Sequence, residues 1–90
     1  MVITFTRHGV DDYDAWRAVY EGFHERRRGL GAKDEGAVFR TVSNPNEVTV
    51  VHEFETLELA EAFVSSPELR ERMESAGVRW PADFWIVEED

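Results

Sequence analysis

Two strand-like runs, Gly36–Val42 and Glu47–Phe54, are separated only by Ser43-Asn44-Pro45-Asn46. Asn and Ser side chains bond nearby backbone and Pro presets φ, so this spacer is a turn and the two runs form a β-hairpin. A lone hairpin is not stable in water, so its flanks must extend and cover it. Upstream, Val2–His8 alternates Ile3 and Phe5 against Thr4 and Thr6, the pattern of a strand. Tyr13, Trp16, Val19, Tyr20 and Phe23 then fall on one stripe of an amphipathic helix. Asp11 and Asp12 supply its cap and first-turn acids, and the pattern predicts a helix to Arg28, stopping before Gly29-Leu30-Gly31. Gly22 is a weak point in it, costing about 1 kcal/mol relative to alanine.

Downstream, Thr56 can cap a helix over Leu57–Val64 that turns Leu59, Ala60 and Phe63 inward. Ser66-Pro67-Glu68 restarts the helix, Leu69 and Met73 continue its apolar stripe, and Gly77 ends it. Pro67 disfavours helical geometry in the residue before it, so a bend is expected at Ser65-Ser66. Val78-Arg79-Trp80-Pro81 reads as a loop and Asp83–Glu88 as the last strand, with a solvated acidic end at Glu88-Glu89-Asp90.

The order βαββαβ is the ferredoxin-like arrangement: an α+β fold with a four-stranded antiparallel sheet and helices on one face. Ninety residues hold one such domain, 1–90. The first and third strands are expected as parallel central neighbours. With Val42 opposite Glu47, the pleat puts Ala37, Phe39, Thr41, Val48, Val50, His52 and Phe54 on the helix-bearing face. Val38, Arg40, Val42, Thr49, Val51 and Glu53 take the other, and a one-residue slip at the turn would reverse one strand. Valines 38, 42 and 51 on a bare face call for a cover, most simply a second copy about a two-fold axis.

Composition narrows the partners. A net charge of −9 opposes binding to nucleic acid or an anionic membrane. The one basic cluster, Arg26-Arg27-Arg28, reads first as a solvated helix C-terminus, where cations meet the backbone dipole, and second as an anion site. The absence of cysteine excludes disulfides, thiolate nucleophiles and Cys-type zinc sites. No apolar run approaches a membrane span and the N-terminus lacks a signal-peptide pattern, so a soluble, cytoplasmic protein is expected. Three Trp, two Tyr and six Phe exceed what one small core readily hides, which points to a ligand or partner.

At this point the residues show a family likeness. His8-Gly9-Val10-Asp11-Asp12-Tyr13-Asp14-Ala15-Trp16, Asn44-Pro45-Asn46-Glu47-Val48, Ser66-Pro67-Glu68-Leu69 and Ala76-Gly77-Val78 resemble, in order, the antibiotic-biosynthesis-monooxygenase-like dimeric α+β barrel superfamily. The resemblance implies a homodimer in which two sheets pack into a barrel and each subunit keeps a cavity between sheet and helices. It implies a cofactor-independent monooxygenase, or a polyketide-type cyclase acting on an aromatic or apolar substrate. The alternative is a non-catalytic ligand carrier or dimeric accessory protein, because a fold alone licenses no reaction.

His8 and His52 are the candidate acid–base groups at neutral pH. The alternation of Ile3 and Phe5 argues that His8 points away from the helices. Arg40, mid-strand among valines, could steady an enolate or pair across an interface. Trp16, Tyr20, Phe23, Trp80 and Trp85 are candidate pocket residues, with core packing as the plain alternative; Trp80, beside Pro81, is the candidate rim or lid. No HxH or HxxxH pairing of histidines marks a metal site, and no Gly-rich phosphate loop is present.

Overall fold

The computed structural model describes residues 1–90, with all side chains except those of Asp34 and Glu35. The chain runs β1 (Val2–Val10), α1 (Tyr13–Gly22), α2 (His24–Gly29), β2 (Lys33–Thr41), β3 (Asn44–Phe54), α3 (Leu57–Val64), α4 (Pro67–Ser75) and β4 (Val78–Glu88). The strands form one antiparallel sheet in the order β2-β3-β1-β4 with helices on one face, the ferredoxin-like arrangement. Among the described residues, no helix is long and apolar enough to cross a membrane.

The helix starts follow local chemistry. Asp12 accepts from Asp14 N at 3.1 Å, Thr56 Oγ1 from Leu59 N at 3.2 Å and Ser66 Oγ from Leu69 N at 3.3 Å, each satisfying an amide left open at a helix N-terminus. Pro67 follows Ser66 at the first turn of α4, where its missing N–H costs nothing. Gly77, at φ +80°, ends that helical stretch, and its carbonyl accepts from Asp11 N at 3.0 Å.

Two groups of side chains fill the space between sheet and helices. Trp16 of α1 and Met73 of α4 pack with Val10, Val48, Val50 and Val78, while Ala60 and Phe63 of α3 pack with Val2, Ala32 and Phe54.

Five sequence expectations change here. First, β1 and β3 are antiparallel, with Thr4 opposite His52 and His8 opposite Val48. Two strands joined through a helical crossover run parallel, but the hairpin inserts its second strand between them, and that strand runs the other way. Second, Val2, Thr4, Thr6, His8 and Val10 are the buried members of β1, so Ile3 and Phe5 face away from the helices and His8 faces them.

Third, Val38 pairs with Val50 and Arg40 with Val48, which puts them on the helix face and turns Ala37 and Phe39 outward with Val51 and Thr49. The turn is Val42-Ser43, with Thr41 opposite Asn44, and β3 carries extra residues after it; this is the register slip that reverses a strand. Val42 sits fully exposed at the turn, so Val51 is the only one of the three valines on the outer face. Fourth, the long helix breaks at Phe23. Gly22 weakens it, and Phe23 N bonds to Tyr20 O in a tightened last turn while its ring is buried. Fifth, Val78–Pro81 belongs to β4, where Val10 pairs with Val78 and Gly9 with Arg79; a register shift between Arg7 and Gly9 admits the proline.

Candidate functional site

The helix-facing residues of β1 and β3 form the floor of a cavity, and α1, α3 and α4 its walls. Thr6, His8, Val50 and His52 come from the sheet; Trp16, Val19, Tyr20 and Phe23 from the first helical segment and its end; and Phe63, Leu69, Arg72, Met73 and Ala76 from the second half, with Arg27 of α2 closing one side. Its volume is about 60 Å³, and its mouth is open to solvent. An engineered core cavity of about 150 Å³ holds benzene. A ring-sized ligand must therefore occupy the mouth or displace side chains there.

The stripe read from the sequence builds an aromatic ladder along the cavity. His8 meets Trp16 edge-on at 5.8 Å, Trp16 stacks on Tyr20 at 5.0 Å, Tyr20 stacks on His52 at 5.9 Å, and His52 meets Phe63 edge-on at 5.7 Å. The two histidines therefore share a face but stand at different heights of the antiparallel pair, His8 opposite Val48 and His52 opposite Thr4.

His52 is 3% exposed, and its Nε2 lies 3.4 Å from the Tyr20 hydroxyl. Its Nδ1 is buried without a hydrogen-bond partner among the described residues, as is the Thr4 hydroxyl on the facing strand. Burial, reinforced by the nearby charge of Arg27, pushes the His52 pKa down to about 4, so the ring is neutral at physiological pH. His8 is also lowered by burial, although a bond from Nδ1 to Gly9 O at 3.2 Å works in the opposite sense.

Arg27 is the residue the sequence reading placed on a solvated helix end; it is 4% exposed instead. Its Nη1 donates to Tyr20 O at 2.5 Å and its guanidinium lies over the Tyr20 ring at 3.7 Å. The signal was present: Tyr13, Trp16, Tyr20, Phe23 and Arg27 are spaced three, four, three and four, so Arg27 continues the inward stripe. Thr6, Phe63, Leu69, Arg72 and Met73 also line the cavity and were not singled out as site residues. For these the signal is weak, since threonine in a strand and leucine or methionine on a helix are ordinary core residues.

Of the eight site candidates, the structure brings His8, His52, Trp16, Tyr20 and Phe23 together. The other three lie elsewhere. Arg40 stacks over Tyr13 at 3.7 Å and donates from Nε to Pro45 O at 3.0 Å. Trp80 lines a separate depression between the α3–α4 bend and β4, under the Arg70 guanidinium at 4.4 Å. Trp85 is 49% exposed on the outer sheet face, opposite Phe5. Among the described residues no group of three or more His, Asp or Glu is placed to hold a metal ion.

No family model matches the sequence, and no curated protein does. Solved structures do match over nearly the whole chain. SnoaB, a cofactor-independent oxygenase from Streptomyces nogalater solved in a mutant form, is 10% identical with a TM-score of 0.76, the match covering 98% of this chain and 91% of SnoaB. An antibiotic biosynthesis monooxygenase is 10% identical with a TM-score of 0.74, covering 100% and 99%. A conserved protein from Methanosarcina mazei Go1 is 14% identical with a TM-score of 0.75, covering 99% and 92%. At these identities the likeness is one of fold. The chain has the ferredoxin-like fold of the antibiotic-biosynthesis-monooxygenase-like proteins.

Proposed function

We propose that the sheet–helix cavity is a small-molecule site and that its chemistry is cofactor-independent oxygenation. The observation that carries this reading is His52: a neutral imidazole beside the Tyr20 hydroxyl and a buried cation, in a cavity lined mostly by apolar side chains. With a pKa about 4 it is a weak base. The charge of Arg27 that disfavours imidazolium also favours an oxyanion, so it makes a bound enol or phenol more acidic by the same electrostatics. His8 is the second candidate base, and a bond donated from its Nδ1 leaves Nε2 as the acceptor.

The reaction balances with dioxygen as the only co-substrate. An activated CH₂ loses a proton to imidazole, and the carbanion passes one electron to O₂. Radical recombination forms the C–O bond of a hydroperoxide. Protonation of its outer oxygen and loss of the remaining C–H proton cleave O–O, leaving C=O and water. The fold shared with a cofactor-independent oxygenase supports this chemistry. A cyclase version would use the cavity to hold one folded conformer for attack.

A dimer is part of the same proposal. The outer sheet face carries Ile3, Phe5, Phe39, Val51, Trp85 and Val87, and Phe39, Trp85 and Val87 are 57%, 49% and 43% exposed. A contiguous apolar face of this kind is covered in solution, and a second copy packed sheet to sheet is the simplest cover. A chain without cysteine suits a cytoplasmic setting.

A carrier that binds without turnover is the second reading, favoured by the weak basicity of His52 and the small cavity. An oxygen electrode separates the two, using a panel of acidic-methylene and phenolic probes with product analysis. Oxygenation predicts one O₂ consumed per ketone formed and roughly a 10²-fold or greater loss on replacing His8 and His52 together by Gln. Turnover unchanged in that double variant would remove the histidine-base mechanism. Probe binding seen in tryptophan fluorescence, with no O₂ uptake, selects the carrier.

A further inference from the structure

The ion pairs among the described residues lie at the surface: Arg7 with Glu47, Arg17 with Glu21, Arg26 with Glu68, Arg70 with Glu74 and Arg79 with Asp11. Arg27, the most buried arginine, has no carboxylate among the described residues within ion-pairing distance, in a chain with 19 Asp and Glu. Desolvation predicts the opposite arrangement, because a buried charge needs a partner far more than an exposed one does. The Tyr20 carbonyl and ring account for one N–H and one face of the guanidinium. The group can donate five hydrogen bonds, and its residue lines the cavity.

A second guanidinium, Arg72, lies over the Phe23 ring at 5.1 Å and also lines the cavity; it too lacks an acid partner among the described residues. A largely apolar chamber with one buried cation that has no acid partner among the described residues, and a second, exposed one, is complementary to a molecule with an apolar body and a single negative charge.

We infer that the cavity takes a small monoanionic carboxylate with an apolar body, its carboxylate held by Arg27 and its approach favoured by Arg72. This rests on the reading of the cavity as the ligand site and names the class of ligand. A carboxylate fits because its two oxygens match the planar guanidinium fork. A phosphate dianion would bring a second charge into apolar walls with one buried cation to meet it.

The test is isothermal titration calorimetry on the full chain with benzoate, propionate, benzamide, propionamide and inorganic phosphate. Carboxylates are expected to bind at least about tenfold tighter than the matching amides, with the preference abolished in Arg27→Gln and partly kept in Arg27→Lys. Equal affinity for acid and amide, or an unchanged preference in Arg27→Gln, overturns the inference while leaving a ligand cavity in place. Tighter binding of phosphate than of either carboxylate overturns the carboxylate class. Failure of every organic probe to bind overturns both the inference and the cavity reading. Should Arg27→Gln not fold, the wild-type Arg Nε–Hε NMR signals decide: one must move on adding benzoate and stay in place with benzamide.

Discussion

Gly36 stands against the ring of His52 so closely that a β-carbon at position 36 would lie 2.6 Å from His52 Cε1 and 2.8 Å from Val51 O. Its φ of +75° is also one that residues with a β-carbon rarely adopt. Gly36 lies where the β2–β3 register shifts, between Lys33 opposite Glu53 and Ala37 opposite Val51. The absence of a side chain there makes room for an imidazole on the cavity floor. Gly36→Ala should cost about 3 kcal/mol, from left-handed strain and overpacking together. That corresponds to a fall in Tm of roughly 12–24 °C for a domain of this size. Thermal unfolding checks it, and a variant melting within about 2 °C of wild type contradicts the packing described.

The depressed pKa of His52 makes stability pH-dependent in a definite sense. The unfolded histidine titrates near 6.5 and the folded one at about 4, so between these values the unfolded chain binds the extra proton. Stability from this group is complete above pH 6.5 and declines as the pH falls toward 4, at up to about 1.4 kcal/mol per pH unit and about 3 kcal/mol in all. His8, lowered by burial, acts in the same direction. Urea unfolding at pH 7 and pH 5 should show the loss in wild type and a flatter response in His52→Gln. Equal pH dependence in the two proteins would contradict it.

Thr4 is fully buried and its hydroxyl has no partner among the described residues. Thr4→Val keeps the shape and removes the unsatisfied group, so it should stabilise the fold by about 1 kcal/mol. Chemical denaturation measures this directly. A loss of more than about 1 kcal/mol would mean that the hydroxyl is satisfied in solution.

The outer sheet face gives an oligomer prediction independent of the cavity. Phe39→Glu with Trp85→Glu places charges on residues that are already exposed in the single chain, so the fold should survive. Sedimentation equilibrium should give about twice the 10.4 kDa chain mass for wild type and the chain mass for the double variant. A wild type that sediments as a single chain ends the dimer proposal.

The elements that were legible in the sequence rest on short-range chemistry. Asp12, Thr56 and Ser66 each bond an amide two or three residues away, and Pro67 acts on its neighbour. Such signals need nothing from the rest of the chain, so the starts of α1, α3 and α4 could be read directly. The aromatic stripe is also local, since the 3.6-residue period alone puts Trp16, Tyr20 and Phe23 on one side. It implied the inward place of Arg27, although a run of three arginines first reads as a solvated end.

The facing of each strand was not local. Threonine suits either side of a sheet, and Ile3 and Phe5 are as fit to meet a partner as to meet a helix. Only the pairing of β1 with β3 and the packing of the helices turned Thr4, Thr6 and His8 inward. In β2, the irregularities beside Gly36 and at the Val42-Ser43 turn set the register and hence the direction of Phe39 and Arg40. The sequence by itself determined the helix starts, the hairpin and the order of elements, because each follows from residues a few positions apart. The tertiary structure decided which histidines meet which rings, because a strand's side chains alternate and a single-residue slip against a distant neighbour exchanges its faces.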